Sequence, residues 1–236
     1  MQQLMSYMRS AMEHYQMIED GDRIAVGVSG GKDSLALLVA LCQMRTFYPI
    51  KYEIVAITLD PQFQNQPTDY SQIQELCDQL GITYIIRRTE LYHVIFETRK
   101  EANPCSLCAR MRRGSLHDAA KEAGCNKIAL GHHMDDAAET FYMNLFSGGR
   151  AECFSPKSYL SRKDLWMIRP MIFAREKDVS HAANTLRLPV VESTCPIDGH
   201  THRAQIRKKI QELEKEYGPV TEKTVNALQQ AHLCGW

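Results

Sequence analysis

Apolar residues fall along this chain in two alternating rhythms. Short, nearly continuous apolar runs read as strands: RIAVGV (23–28), EIVAITLD (53–60), TYIIRR (83–88), KIALGH (127–132) and LWMIRP (165–170). Between them apolar positions recur at spacings of three and four, the mark of a helix with one buried face. This pattern predicts helices over Gln3 to Ile18, from the 29–34 loop to Arg45, and over 69–81 and Leu107 to Ala123. Further helices are predicted over Asp135 to Phe146, Arg175 to Arg187, 201–218 and roughly 221–232. Met5, Met8, Met12 and Tyr15 make a core-facing stripe on the first helix.

Strands that alternate with helices imply an α/β fold, a doubly wound and mainly parallel sheet of about five strands with helices on both faces. In such sheets ligands gather beyond the carboxyl ends of the strands, at the switch in strand order. The loops after the first, second and fourth strands should therefore share one site. The chain reads as a single domain over 1–236: an N-terminal helix (1–20), the α/β core (21–192), and a C-terminal cysteine loop with helices (193–236).

Composition changes this picture little. Lys and Arg total 28 and Asp and Glu total 28, so a nucleic-acid site has to be a local patch rather than a global charge. No apolar run approaches the roughly 18 residues of a membrane span. Residues 1–20 carry charged and polar residues throughout, unlike a signal peptide, so no membrane association and a cytoplasmic location are expected.

The first chemical feature is VGVSGGKDSLALL (26–38), a strand entering a glycine loop that opens a helix. Gly30 and Gly31 let the backbone approach an anion, and the following helix turns its free N–H groups toward the loop. Lys32 adds charge, Ser29 and Ser34 add hydroxyls, and Asp33 makes sense beside phosphate as a Mg²⁺ ligand or an orienting group. The spacing is neither Walker A nor G-x-G-x-x-G. SGGKDS is similar to the PP-loop of ATP pyrophosphatases, which cleave ATP between the α and β phosphates. That resemblance implies an adenine nucleotide alpha-hydrolase-like fold and places adenine against the end of the second strand, at Ala56, Ile57 and Thr58. Asp60 is either a ribose or metal ligand or a solvated strand-end carboxylate. GHHMDDAAET (131–140) closes the fourth strand. There Gly131 gives room for a nucleotide, and His132 is a phosphate donor or an ordinary polar neighbour. Asp135 and Asp136 are Mg²⁺ ligands or helix caps.

Eight cysteines in a chain of this size suggest metal or redox work. Cys105 and Cys108, in NPCSLCARMRRG (103–114), lie at i and i+3 where a helix begins. Both sulfurs fall on one face, and a helix N-terminus favours thiolates. The pair suits a redox disulfide, half a zinc site or part of an iron–sulfur cluster; His93 and His117 lack typical ligand spacing for the second of these. Cys195, in ESTCPIDGH, follows an extended piece that would bring it to the same end of the domain. Cys42 and Cys77 lie in apolar helical patterns and read as core residues. Cys125, Cys153 and Cys234 show no partner logic.

Together, SGGKDS, CSLCARMRRGSL, KIALGHHMDDAAETFYMNLFSGG and IRPM followed by REKDV resemble the tRNA 2-thiocytidine synthetase family over roughly residues 20–200. The resemblance implies a [4Fe–4S] cluster held by three cysteines, of which Cys105 and Cys108 match the first two. The third family cysteine often lies in a second CxxC. Here the corresponding place has Cys195 alone, followed by PIDGHTHR.

It also implies ATP-dependent thiolation of an anticodon-loop cytidine, with ATP, Mg²⁺ and the cluster as cofactors. Lys32 and Asp33 would act at the phosphates, and Cys105, Cys108 and Cys195 would carry the sulfur chemistry. The expected partners are tRNA, a sulfur donor such as a cysteine desulfurase, and a second copy of the chain. Arg110, Arg112, Arg113 and Arg169 are the expected RNA contacts. The charged helix 203–217, with its alternating signs, reads as solvent-facing. The competing readings are a PP-loop uridine thiolase or lysidine-type ligase, and a zinc-containing RNA-binding module.

Overall fold

The computed structural model describes residues 1–63, 67–98, 104–192, 195 and 202–236, with backbone alone at Phe96, Glu97 and Cys105. A helix α1 (Gln2–His14) precedes β1 (Asp22–Gly27), α2 (Lys32–Met44), β2 (Tyr52–Asp60), α3 (Ser71–Gln79) and β3 (Thr83–Arg88). A π-helical turn, His93–Thr98, follows. Next come α4 (Pro104–Glu122), β4 (Lys127–Ala129), α5 (Met134–Gly148), β5 (Lys157–Leu160) and β6 (Leu165–Ile168). The chain finishes with α6 (Glu176–Thr185), α7 (His202–Tyr217), α8 (Val220–Gln230) and a 3₁₀ turn, Leu233–Gly235.

The sheet order is β3-β2-β1-β4-β6-β5. Every pairing is parallel except that of β5 with β6. From β1 the chain winds outward through β2 and β3, then returns to β4 and winds the other way. The switch in order therefore lies between β1 and β4, and a crevice opens at their carboxyl ends. β5 is a sixth strand, beyond the five apolar runs. It makes an antiparallel edge hairpin with β6.

The two sheet faces have separate cores. Ile24, Val26 and Ala56 pack with Leu35, Leu38 and the N-terminal helix residues Leu4, Met8 and Met12. Ala25, Val55, Ile57 and Leu59 pack on the other face with Leu116, Ala119 and Ala120 of α4. α7 is fixed on α5 through Ile206, Ile210 and Ala138. Cys42 and Cys77 are core residues, as their pattern predicts. At the opposite end from the crevice, the buried Lys127 ammonium pairs with buried Asp22 at 2.7 Å. Among the described residues no helix is long and apolar enough to cross a membrane.

Candidate active site

The glycine loop is built by its own short hydrogen bonds. Val28 N–H donates to the Ile57 carbonyl (2.8 Å), so the sheet continues one residue past β1. Gly30 then takes φ +87°, which a side chain would strain. The Ser34 hydroxyl donates to the Gly31 carbonyl (2.9 Å) and accepts from Ser29 N–H (3.1 Å), holding the turn closed. Gly31 caps α2 without a side chain, which leaves the first-turn N–H groups facing the loop. Lys32 Nζ lies 2.8 Å from Asp33 and 3.1 Å from Glu176. Burial opposes its charge, but these two carboxylates outweigh burial and raise its pKa.

Gly131 has a different reason for being glycine than the one its sequence position suggests. A Cβ there would come within 3.1 Å of the Asp33 carbonyl carbon and the Ser34 nitrogen. The position makes room for the start of α2, the loop's own support.

Beside the loop, α5 begins with a cluster of ionised groups. Asp135 accepts from Arg175 Nε (3.1 Å) and from Glu176 N–H (2.6 Å). Burial works against this carboxylate, yet the His133 ring, the Glu176 N–H and Arg175 together hold it well below the usual range. Asp136 accepts from its helix's own His133 N–H (3.0 Å) and from Arg203 (3.1 Å). Among the described residues no three His, Cys, Asp or Glu side chains converge on a metal position. Asp33, Asp135 and Asp136 therefore do not form an all-protein cage, and Asp135 is committed to the α6 N-terminus. Mg²⁺ sites commonly rest on one or two carboxylates plus substrate phosphates.

Arg203 and Arg207 correct the solvent-facing reading of α7. Arg203 reaches Asp136, Glu139 and Thr140, and Arg207 reaches buried Glu139 at 2.5 Å. Arg175 also binds Glu214 of α7 (3.2 Å) and Glu222 of α8 (2.5 Å). The charged helix is thus clamped to the elements that carry the site.

A cavity of about 680 Å³ crosses the sheet on the α4 side, within the usual range for small-molecule sites. It runs from Ser29 and Ile57, past His132, to Arg169 and Ser158, under Arg112 and Arg113 of α4. Of the three second-strand residues expected at the adenine, Ile57 lines it, as does Leu59 further along the strand. Ala56 faces the opposite core, and the buried Thr58 hydroxyl donates to the Val28 carbonyl and accepts from Tyr84. Asp60 is neither solvated nor open to a ligand by exposure: it is fully buried and accepts from Gln62 N–H (3.0 Å) and Thr68 N–H (3.2 Å).

Three residues that line this cavity carry a buried ring or guanidinium nitrogen with no protein partner among the described residues: His117 Nε2, His132 Nδ1 and Arg169 Nε. Burial, then Arg169, pushes the His132 pKa down to about 4. Burial, then Arg113, lowers that of His117. Arg169 was expected at an RNA backbone, but it is 7% exposed. It bonds the Ser155 carbonyl and lies 4.6 Å over the Phe154 ring. Burial pushes its pKa down to about 10. Arg112 and Arg113 line the cavity, whereas Arg110 is exposed elsewhere on α4. His117, Phe154 and Arg203 are site residues that local sequence did not single out for this cavity. Their partners come from other elements, so no spacing announces them.

Cys105 and Cys108 occupy the first turn of α4, and Ala109 and Arg112, a turn further on, line the cavity. The Cys105 side chain lies outside the described residues. Cys108 and Cys195 are half-buried. Val191 N–H donates to the Gly30 carbonyl at 3.0 Å, tying the approach to Cys195 to the glycine loop. Four residues of chain span at most about 14 Å, which bounds the distance from that anchor. Cys153 also lines the cavity, its thiol pushed up to about 12 by burial, and its N–H faces Cys234 Sγ at 3.4 Å.

A strand, a glycine loop opening a helix, and a crevice at the β1–β4 switch define a nucleotide-binding α/β enzyme of the PP-loop class. The family model described as the PP-loop domain matches residues 4–214. The chain is 36% identical over 225 residues to the tRNA-cytidine(32) 2-sulfurtransferase of Citrifermentans bemidjiense, covering 94% of this chain and 88% of that protein. It is 38% identical to that of Geobacter sulfurreducens (92% and 85% covered) and 39% identical to that of Geotalea daltonii (94% and 90%). The chain belongs to the tRNA-cytidine(32) 2-sulfurtransferase family of PP-loop proteins.

Among solved structures, the U34-tRNA thiolase NcsA from Methanococcus maripaludis with its [4Fe–4S] cluster shares the fold. Its TM-score is 0.79 at 24% identity, with 96% of this chain and 77% of that one covered. The NH3-dependent NAD synthetase of Campylobacter jejuni shares it more loosely, with a TM-score of 0.51 at 16% identity, covering 100% and 96%.

Proposed function

We propose that this chain uses ATP to replace the C2 oxygen of a tRNA cytidine with sulfur. The observation that carries the reading is a single cavity that reaches Ser29 of the glycine loop and is lined by three residues with buried polar atoms unpartnered among the described residues, beside the cysteine-bearing start of α4. ATP binds with its phosphates on Ser29 to Ser34 and its adenosine toward Ile57, with Gly131 supporting the loop. Asp33 or Asp136 would hold a Mg²⁺ ion that offsets the phosphate charge.

A pyrimidine C2 oxygen is a poor leaving group. Its attack on the ATP α-phosphorus forms an O–P bond, breaks the α–β bridge and releases pyrophosphate. Lys32 and the α2 N–H groups stabilise the charge that gathers on this leaving group. Sulfur at the oxidation level of sulfide then bonds C2, the C2–O bond breaks, and AMP departs. No electrons are exchanged with the base. Cys105, Cys108 and Cys195 fit a three-thiolate cluster site: two stand at a helix N-terminus, which favours thiolates, and the third is leashed to the loop. Three thiolates there would hold a [4Fe–4S] cluster with one iron lacking a protein ligand, and the cluster would supply a site for sulfide. Arg112 and Arg113 meet the RNA at the cavity mouth. A desulfurase-type donor supplies the sulfur.

The test is nucleoside mass spectrometry of tRNA from a host with and without the gene. 2-Thiocytidine is expected to disappear, and to return with the wild-type gene but not with Cys108→Ser. Unchanged thiolated nucleosides contradict the reading.

A further inference from the structure

The cavity is longer than the nucleotide site that the glycine loop defines. That loop follows β1, and its neighbour Ile57 is on β2, so ATP occupies the β2–β1–β4 part of the sheet. The cavity continues past β4 to Met167 and Arg169 at β6 and to Ser158 and Leu160 of β5. Over this far part α4 lays Arg113 and His117. Leu160 and Met167 make it apolar, but His117 and Arg169 also line it, and their buried Nε2 and Nε have no partner among the described residues. His117 is 9% exposed and Arg169 7%. Native proteins rarely leave buried polar atoms without a partner. Two together in an apolar slot point to a flat ligand with a polar edge.

Arg113 acts on both groups, depressing each one's proton affinity, so His117 and Arg169 share one electrostatic neighbourhood. Arg169 can only donate. His117, kept neutral by burial beside Arg113 and Lys163, offers one ring nitrogen as an acceptor. The complementary edge has an acceptor next to an N–H donor. Cytosine has that edge, with N3 accepting from Arg169 and the exocyclic N4 amine donating to His117, which leaves O2 to react. Uracil held in the same orientation reverses both contacts, presenting N3–H to Arg169 and the O4 carbonyl to His117.

We propose that the slot between α4 and the β5–β6 hairpin holds the extruded target base, and that His117 and Arg169 read its Watson–Crick edge so that cytidine is chosen over uridine. This rests on the functional reading above. It needs the His117 tautomer protonated on Nδ1.

The experiment compares wild type, His117→Ala and His117→Gln on two tRNA transcripts that differ only in C or U at the target position. Thiolated nucleoside, KM for ATP and visible absorbance of the cluster-loaded protein are all measured. His117→Ala should leave the absorbance and the KM for ATP unchanged within about twofold. Its kcat/KM on the cytidine transcript should fall roughly 10- to 100-fold and the C-to-U preference should shrink by a similar factor, the scale of one lost base-reading contact. His117→Gln, which keeps an acceptor, should recover part of the preference. An unchanged C-to-U preference in both variants overturns the proposal, as does a KM for ATP that rises in step with the loss. A wild-type protein that thiolates neither transcript overturns the functional reading itself, a result distinct from either.

Discussion

The backbone N–H of Val191 donates to the carbonyl of Gly30 at 3.0 Å. This bond joins the segment leading to Cys195 to the glycine loop. A Cβ on Gly30 would lie 3.1 Å from the Val191 Cβ, so the two backbones meet closely. On the proposed function, this bond holds ATP cleavage and sulfur delivery in register. Val191→Pro removes the donor and should uncouple them: AMP release should persist while 2-thiocytidine formed per AMP falls about tenfold or more, since small misplacements near reacting atoms are costly. Quantifying both products in one reaction checks this, and an unchanged ratio speaks against the tether.

Adjacent histidines should titrate in opposite directions. Burial, then Arg169, brings His132 down to about 4, whereas His133 is raised because Asp135 and Asp136 outweigh its burial. His132 therefore contributes stability that is present above the ordinary 6.5 and lost as pH falls toward 4. His133 contributes stability that is present below 6.5 and lost as pH rises through its folded value. An NMR titration of the imidazole signals should find His132 neutral near pH 6.5 and His133 titrating above it. Two rings titrating together at the ordinary value would refute the electrostatic description of this corner.

Asp135 adds an acid limb to stability. Its folded pKa is depressed, so its contribution is complete above the ordinary 3.8 and is lost as pH falls below it. Asp135→Asn should lower unfolding free energy at neutral pH by about 1–3 kcal/mol, the scale of a buried hydrogen-bonded group losing its partners. It should also flatten the loss seen below pH 3.8 in urea titrations. Parallel wild-type and variant acid limbs would show that the Arg175 clamp does not act through this carboxylate.

How much of this was legible in the sequence follows from where each residue's partners lie. The β1–loop–α2 unit was legible because SGGKDS contains its own bonds, with Ser29, Gly31 and Ser34 closing the turn among themselves. β5 was not, because KSYL is a short edge strand whose Tyr159 points to solvent, and it leaves no apolar run. The role of α7 was hidden because Arg203 and Arg207 find their carboxylates on α5, more than 60 residues earlier. Its local pattern showed only alternating charge. Asp60 read as either a ribose or metal ligand or a solvated strand-end carboxylate because the N–H groups that bury it belong to the following loop. Arg169 read as an RNA contact because the Phe154 ring and Ser155 carbonyl that enclose it come from before β5.

The cysteines divide by environment. Cys42 and Cys77 are pushed up to about 11 and 12 by burial and stay protonated. Anaerobically reconstituted Cys42→Ser and Cys77→Ser proteins should keep the brown colour and thiolation, with some loss of thermal stability. Cys108→Ser and Cys195→Ser should lose colour and thiolation together, yet bind ATP with unchanged affinity by calorimetry. Full colour and activity in Cys195→Ser would remove that residue from the cluster and leave the leash to Gly30 without its proposed purpose.

The most direct measurement is a defined reaction of cluster-loaded protein, ATP, Mg²⁺, sulfide and an unmodified tRNA transcript, followed by nucleoside mass spectrometry and counting of AMP and pyrophosphate. The account predicts 2-thiocytidine that appears only with ATP, with one AMP and one pyrophosphate for each sulfur inserted. AMP and pyrophosphate released without 2-thiocytidine, or sulfur inserted without ATP cleavage, would contradict it.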